Sequence, residues 1–169
     1  MHWLTSSNFF SSTYRKAFSF GGDFRITNEA GEDLFLVRGE NFSLGRNYSF
    51  QDLAGNELAR IEQKLLSLGA NYEIYHRGEL VAVVKEHLFT LFRHVFSIDV
   101  PGPDDLEATG DFFDAEYTFT RGGRTVAEIS KRWFNWTDTY GVDVADDQDQ
   151  VLVLASALVI EIATMNRRK

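Results

Sequence analysis

A mainly β fold, a closed barrel of about twelve strands built from repeated hairpins around a central buried C-terminal α-helix, is what this sequence predicts. Three observations predict it. Aromatic residues recur at a fixed spacing along the chain. Each is followed by alternating polar and apolar residues broken by glycine. The last apolar segment, unlike the rest, is apolar on every side.

The recurrence is the primary signal, because internal repeats decide an architecture before any single element does. Phe24, Tyr48 and Tyr72 open three units 24 residues apart, and one further step lands on Phe96. The segments FRITNEAGEDLFLVRGENFSLG from Phe24 and YSFQDLAGNELARIEQKLLSLG from Tyr48 share a pattern. YEIYHRGELVAVVKEHLFTLF from Tyr72 and YTFTRGGRTVAEISKRWFNWT from Tyr117 repeat it. Within a unit Phe24 and Ile26 alternate with Arg25 and Thr27, the period of a half-buried strand. Gly31, Gly55, Gly78 and Gly123 fall where the strands must turn back. Aligning the units stacks Phe35, Ala59, Ala82 and Ala127 on the inward face. Three small residues of four there leave room for something bulky inside.

The segment Val151–Met165, VLVLASALVIEIATM, supplies that object. A helix apolar all round is either buried or membrane-spanning. Fifteen residues reach about 22 Å, short of a hydrocarbon core of roughly 30 Å, and Glu161 inside the run adds a further penalty. A core helix follows. Asp146, Asp147 and Asp149 before it and Arg167, Arg168 and Lys169 after it suit the helix dipole. The expected organisation is a single domain, 1–169: an N-terminal segment over 1–13, hairpin repeats over 14–145 and the central helix over 146–166.

Composition narrows the function classes. The chain has 169 residues and no cysteine, which removes disulfides and Cys-ligated metal sites. The lack of cysteine fits a reducing compartment, and residues 1–10 carry no positive n-region or long apolar run. A cytoplasmic protein, peripheral at a membrane if it meets one and without a transmembrane segment, is the expectation. The net charge of −8 repels nucleic acid. No GxSxG, Walker A, GxGxxG or HExxH pattern is present, so neither enzyme chemistry nor a cofactor is expected.

NFSLG at 41–45, GNELARIEQKLLSL at 55–68, FSIDVPG at 96–102 and above all SKRWFNWTDTYGVDV at 130–144 resemble the LURP-one-related family, which shares its fold with tubby proteins and phospholipid scramblases. The resemblance runs from about Tyr14 to about Met165. It implies a twelve-stranded barrel around a C-terminal helix. It implies no enzymatic activity. Tubby proteins bind phosphoinositides and scramblases act at membranes, but no lipid-contact motif of either matches this chain. The Cys-rich and Pro-rich segments of scramblases are missing.

The repeat also yields candidate site residues. Equivalent positions in successive units are Glu40, Lys64, His87 and Arg132, with Lys16 in the partial first unit. With Arg93, His94 and Lys131 they suggest a basic rim at one end of the barrel. Lys16, Lys64, Arg93, Lys131 and Arg132 are the candidate contacts for a phosphoinositide or other anionic headgroup. The ordinary reading of such residues is a solvated strand face. Phe134 and Trp136 share the parity of core positions Phe42 and Leu44, whereas Trp133 has the opposite parity. Asp143, Asp146, Asp147 and Asp149 lack the Gly and Glu of a calcium loop and read as helix capping. The expected function is a non-catalytic binding module for an anionic headgroup. The alternative is a protein-interaction or structural domain with no small ligand.

Overall fold

In a computed structural model, the structure describes residues 12–18, 23–42, 45–88, 93–111, 116–130 and 140–167; residues 12–18, 41, 42, 140 and 165–167 are described by backbone alone. The chain is mainly β and antiparallel, with one C-terminal helix among the described residues. The strands in chain order are β1 (Ser12–Phe18), β2 (Phe24–Thr27), β3 (Asp33–Phe42), β4 (Gly45–Asp52), β5 (Glu57–Gln63) and β6 (Asn71–His76). They continue with β7 (Glu79–His87), β8 (His94–Asp99), β9 (Leu106–Asp111), β10 (Glu116–Arg121), β11 (Arg124–Ser130) and β12 (Tyr140–Val144). Each pairs antiparallel with its chain neighbours. β1 also pairs with β12, Tyr14 opposite Val142, so the order returns to its first strand as a closed barrel.

Four hairpins share one irregularity. Register shifts follow Ile26, Phe50, Ile74 and Phe119. The extra residues are Leu34, Leu58, Val81 and Val126, each without a partner between two paired neighbours. A bulge of this kind bends its strand and increases its twist, which a ring of strands requires. All four residues are aliphatic: Val126 is fully buried, and the other three pack against the core from a half-buried position. The bulge therefore adds apolar contact as well as curvature.

Beyond the bulges the alternation holds. Ala59, Ala82 and Ala127 are all buried, on the face the repeat alignment assigns them. They lie opposite Phe50, Ile74 and Phe119 respectively, small against large. The helix α1 (Gln150–Arg167) passes among them, with every residue from Val153 to Thr164 buried. Leu154, Leu158 and Ile162 are at most 4% exposed. The helix begins four residues after the expected start at 146, because residues 145–149 form a turn. Asp149 caps it, its Oδ1 accepting the Leu152 N–H at 3.0 Å. Buried hydroxyls are answered locally: Thr164 donates to Ile160 O at 2.6 Å and Ser156 to Leu152 O at 2.8 Å.

Alternating strand direction gives the barrel two unlike ends. The turn end carries the tight connections 28–32, 53–56, 77–78, 100–105, 122–123 and 145–149 and the start of the helix. Arg77 and Gly78 there, at φ of 50° and 82°, form a two-residue loop with positive φ at both positions, as hairpin twist favours. The loop end collects the C-termini of β3, β5, β7, β9 and β11 and the last turn of the helix.

Candidate functional site

One part of the loop end is the connection from β5 to β6. Its base is fixed. Lys64 donates its backbone N–H to Asn71 O at 2.8 Å, and Glu86 donates its own to Ala70 O at 2.9 Å. The Glu86 side chain, 2% exposed, then accepts the Ala70 N–H on Oε2 at 3.2 Å. A carboxylate thus faces inward on β7, two residues beyond Val84, at the repeat position held by Gly39 in β3 and Gln63 in β5. Its Oε1 lies 3.7 Å from Nδ1 of His94. Gly69, at φ 85°, lets the chain turn against Leu88, whose Cγ would meet an added Cβ at 3.1 Å. Above this base Leu65, Leu66 and Leu68 point outward; Leu66 is fully exposed and Leu68 is 87% exposed.

Charged groups surround this loop. Lys64 contacts Glu73 at 2.6 Å and Glu62 at 3.9 Å. Those carboxylates, Glu73 first, hold its ammonium pKa above the usual value. Arg46 lies in β4, opposite Asn41 in β3, and hydrogen-bonds the Tyr48 hydroxyl, which burial pushes up in pKa and Arg46 partly restores. Deeper inside, burial pushes the Tyr72 hydroxyl up further, with Tyr48 adding to it, so both phenols stay neutral. Tyr117 completes this aromatic tier, 3.3 Å from Thr164 Oγ1 and 6.1 Å from the Phe96 ring.

A groove of about 630 Å³ opens beside β9, β10 and β11. Arg93 lines it together with Asp111, Glu116 and Glu128. Three carboxylates to one guanidinium make it a poor host for an anion. Ser130 donates to Glu116 Oε1 at 3.2 Å. Glu128 also sits directly opposite Asp143 on β12, adding to the negative side.

The sequence-derived candidates fall as follows. Lys64 and Arg93 both belong to the loop end, one after β5 and one before β8. Lys16 lies in β1 opposite Ile26 and Tyr140, toward the same end, and its side chain is outside the described residues. Lys131 and Arg132 lie outside them too, as do Trp133, Phe134 and Trp136. Glu40 is paired with Arg60 at 3.2 Å. His87 and His94 are on adjacent strands. Of the acidic run at 143–149, Asp149 caps the helix and Asp147 contacts Arg124 at 2.5 Å, whereas Asp143 lies within β12 opposite Glu128. Sequence reasoning passed over Arg46 and the leucines of the 64–69 connection. Their signal was three leucines in KLLSLG that fit neither a strand period nor a polar turn.

The whole arrangement matches known proteins in shape and sequence. The LURP-one-related family profile matches residues 13–161. The chain belongs to the LURP-one-related family. One family relative is "Uncharacterized protein YxjI" of Bacillus subtilis (strain 168), 33% identical over 153 residues that cover 90% of this chain and 91% of that one. An X-ray structure of an Arabidopsis thaliana protein superposes with a TM-score of 0.66 at 14% identity, covering 94% of this chain and 96% of that one. At that identity the likeness is one of fold. This LURP-one-related chain shares the mainly β architecture and the C-terminal helix across essentially its whole length.

Proposed function

We propose that this LURP-one-related domain is a non-catalytic binding module that presents its loop end to an anionic ligand, a lipid headgroup or another phosphate-bearing group. The observation that carries the reading is the way charge is divided along the barrel. The turn-end segments 28–33, 52–57, 77–79, 99–107, 121–124 and 145–149 hold thirteen of the 25 Asp and Glu residues and three of the 17 Lys and Arg residues. The remaining 12 acidic and 14 basic residues leave the rest of the chain slightly positive. The net −8 is therefore a property of one end.

Distance makes that division effective. Strands of six to eight residues span roughly 20–25 Å, against a Debye length of ~8 Å at physiological salt. An anion at the loop end is screened from the acidic turns. Lys16, Lys64, Arg93, Lys131 and Arg132 then supply attraction, each worth about 1 kcal/mol near an anionic surface. The acidic groove at β9–β11 limits where such a ligand can sit, which favours the side of the loop end near β4–β7. No helix among the described residues is long and apolar enough to cross a membrane, in keeping with peripheral contact.

Flotation with phosphatidylserine-containing vesicles tests the reading. Wild-type protein is expected to float, and added salt to release it. Reversing Lys16, Lys64, Lys131 and Arg132 to Glu should abolish flotation and leave the thermal midpoint nearly unchanged, since exposed ion pairs such as that of Lys64 contribute little to stability. Flotation that survives the reversal would overturn the anionic reading. A protein partner is the second reading, favoured by one specific observation, the exposed leucines of the 64–69 connection.

A further inference from the structure

We infer that Leu65, Leu66 and Leu68 form an apolar anchor that enters the acyl region of a lipid bilayer when the loop end meets it. The inference rests on the proposed anionic-surface function and names its ligand as a membrane rather than a free phosphate. Among the described residues, the other large hydrophobics with high exposure are scattered, Leu53 and Leu80 toward the turn end. Here three lie within four positions, and Leu88 continues the patch from the next connection.

Shape selects the bilayer. Protein interfaces bury their apolar anchors in well-packed pockets on the partner, and a concave or flat apolar surface would suit such a partner. These leucines instead project from the connection between β5 and β6, with Leu66 fully exposed and Leu68 87% exposed. A fluid acyl phase needs no matching shape. The base of the turn is also built to hold the tip in place. The Glu86 carboxylate grips the Ala70 N–H from inside the barrel, and Gly69 packs on Leu88, so little order has to be gained on insertion. Lys64 directly precedes the leucines, and its long side chain can keep its charge at headgroup depth while the leucines go deeper. The acidic turn end then faces away from the bilayer, the orientation that the charge division favours.

The absence of cysteine makes the test clean, because a single introduced thiol takes an environment-sensitive dye at one site. L66C and L68C are labelled, with L53C at the turn end as the control, and mixed with phosphatidylcholine vesicles containing or lacking phosphatidylserine. The dye at 66 and 68 is expected to brighten and shift to the blue on phosphatidylserine vesicles. Lipids with quenchers on their acyl chains should quench it, and the dye at 53 should not respond. Leu66→Ser is expected to weaken partitioning roughly tenfold, the loss from keeping one leucine out of an apolar phase. A protein that floats while the dye at 66 stays unchanged overturns the anchor and leaves the anionic function standing. Binding of inositol phosphates without flotation also overturns the anchor. No binding to vesicles or to phosphates overturns both.

Discussion

At the scale of single residues, the tightest steric demand is at Gly110. It pairs with Tyr117 on one side and His94 on the other, and a Cβ there would lie 2.1 Å from the Glu116 carbonyl oxygen. Gly110→Ala is expected to cost about 1–3 kcal/mol through backbone displacement, measured by urea denaturation. Inside the barrel, Leu158→Ala should cost about 2–5 kcal/mol. Ala82→Leu should cost about 1–3 kcal/mol by overpacking. A pH dependence is also expected on the outer face. Lys64 first, then Tyr75, holds the Glu73 carboxyl below the usual carboxylate range. A depressed carboxylate contributes stability above its unfolded-state value and loses that contribution as pH falls through its folded value. The Lys64–Glu73 contact should therefore be intact at neutral pH and fade only in acid. NMR titration of Glu73 should show its value rising in Lys64→Met.

At the scale of elements, much was legible and one device was not. The alternation of Phe24 and Ile26 with Arg25 and Thr27, the turn glycines and the uniformly apolar run from Val151 each carry a local physical cause, so each could be read from one unit. The stacking of Ala59, Ala82 and Ala127 followed from aligning the units. The bulges at Leu34, Leu58, Val81 and Val126 did not, since an unpaired aliphatic residue looks like one more strand position until its partner strand is known. Their recurrence just before the aligned inward residue, Phe35, Ala59, Ala82 or Ala127, was nonetheless present in four units. The candidate site was the least legible part. Its leucines are meaningful only because the connection carrying them is exposed, and exposure depends on the whole ring. The bulge makes a sharp prediction. Deleting Leu58 leaves Ala59 opposite Phe50 and Glu57 opposite Gln51, so the protein should still fold, with a lower thermal midpoint from lost curvature and contact. Deleting Arg60 reverses the facing of the residues beyond it and should abolish cooperative unfolding by circular dichroism.

At the scale of the molecule, the division of charge matters more than its sum. Glu29→Gln, Glu32→Gln and Asp104→Asn together remove three negative charges from the turn end. They should leave vesicle binding unchanged, because that end lies more than one Debye length from the loop end. Neutralising Lys64, Lys131 and Arg132 to Met, the same number of charges at the loop end, should weaken it strongly. Flotation that rises with the first set, in proportion to the negative charge removed, would mean that net charge, and not its placement, governs association.

The helix that fills the barrel is the last element in chain order, and this bears on how the protein is made. A ribosome delivers all twelve strands before the segment that occupies their centre. Until Val153–Thr164 emerge, the inward faces of Val37, Phe50, Ile61 and Ile98 have nothing to pack against, so a nascent chain holds a hollow, sticky ring that chaperones are suited to shield. Completion of the fold should come in one step, once Val153–Thr164 have left the ribosome. Stalled chains that end before Gln150 should be protease-sensitive throughout, with no resistant amino-terminal half.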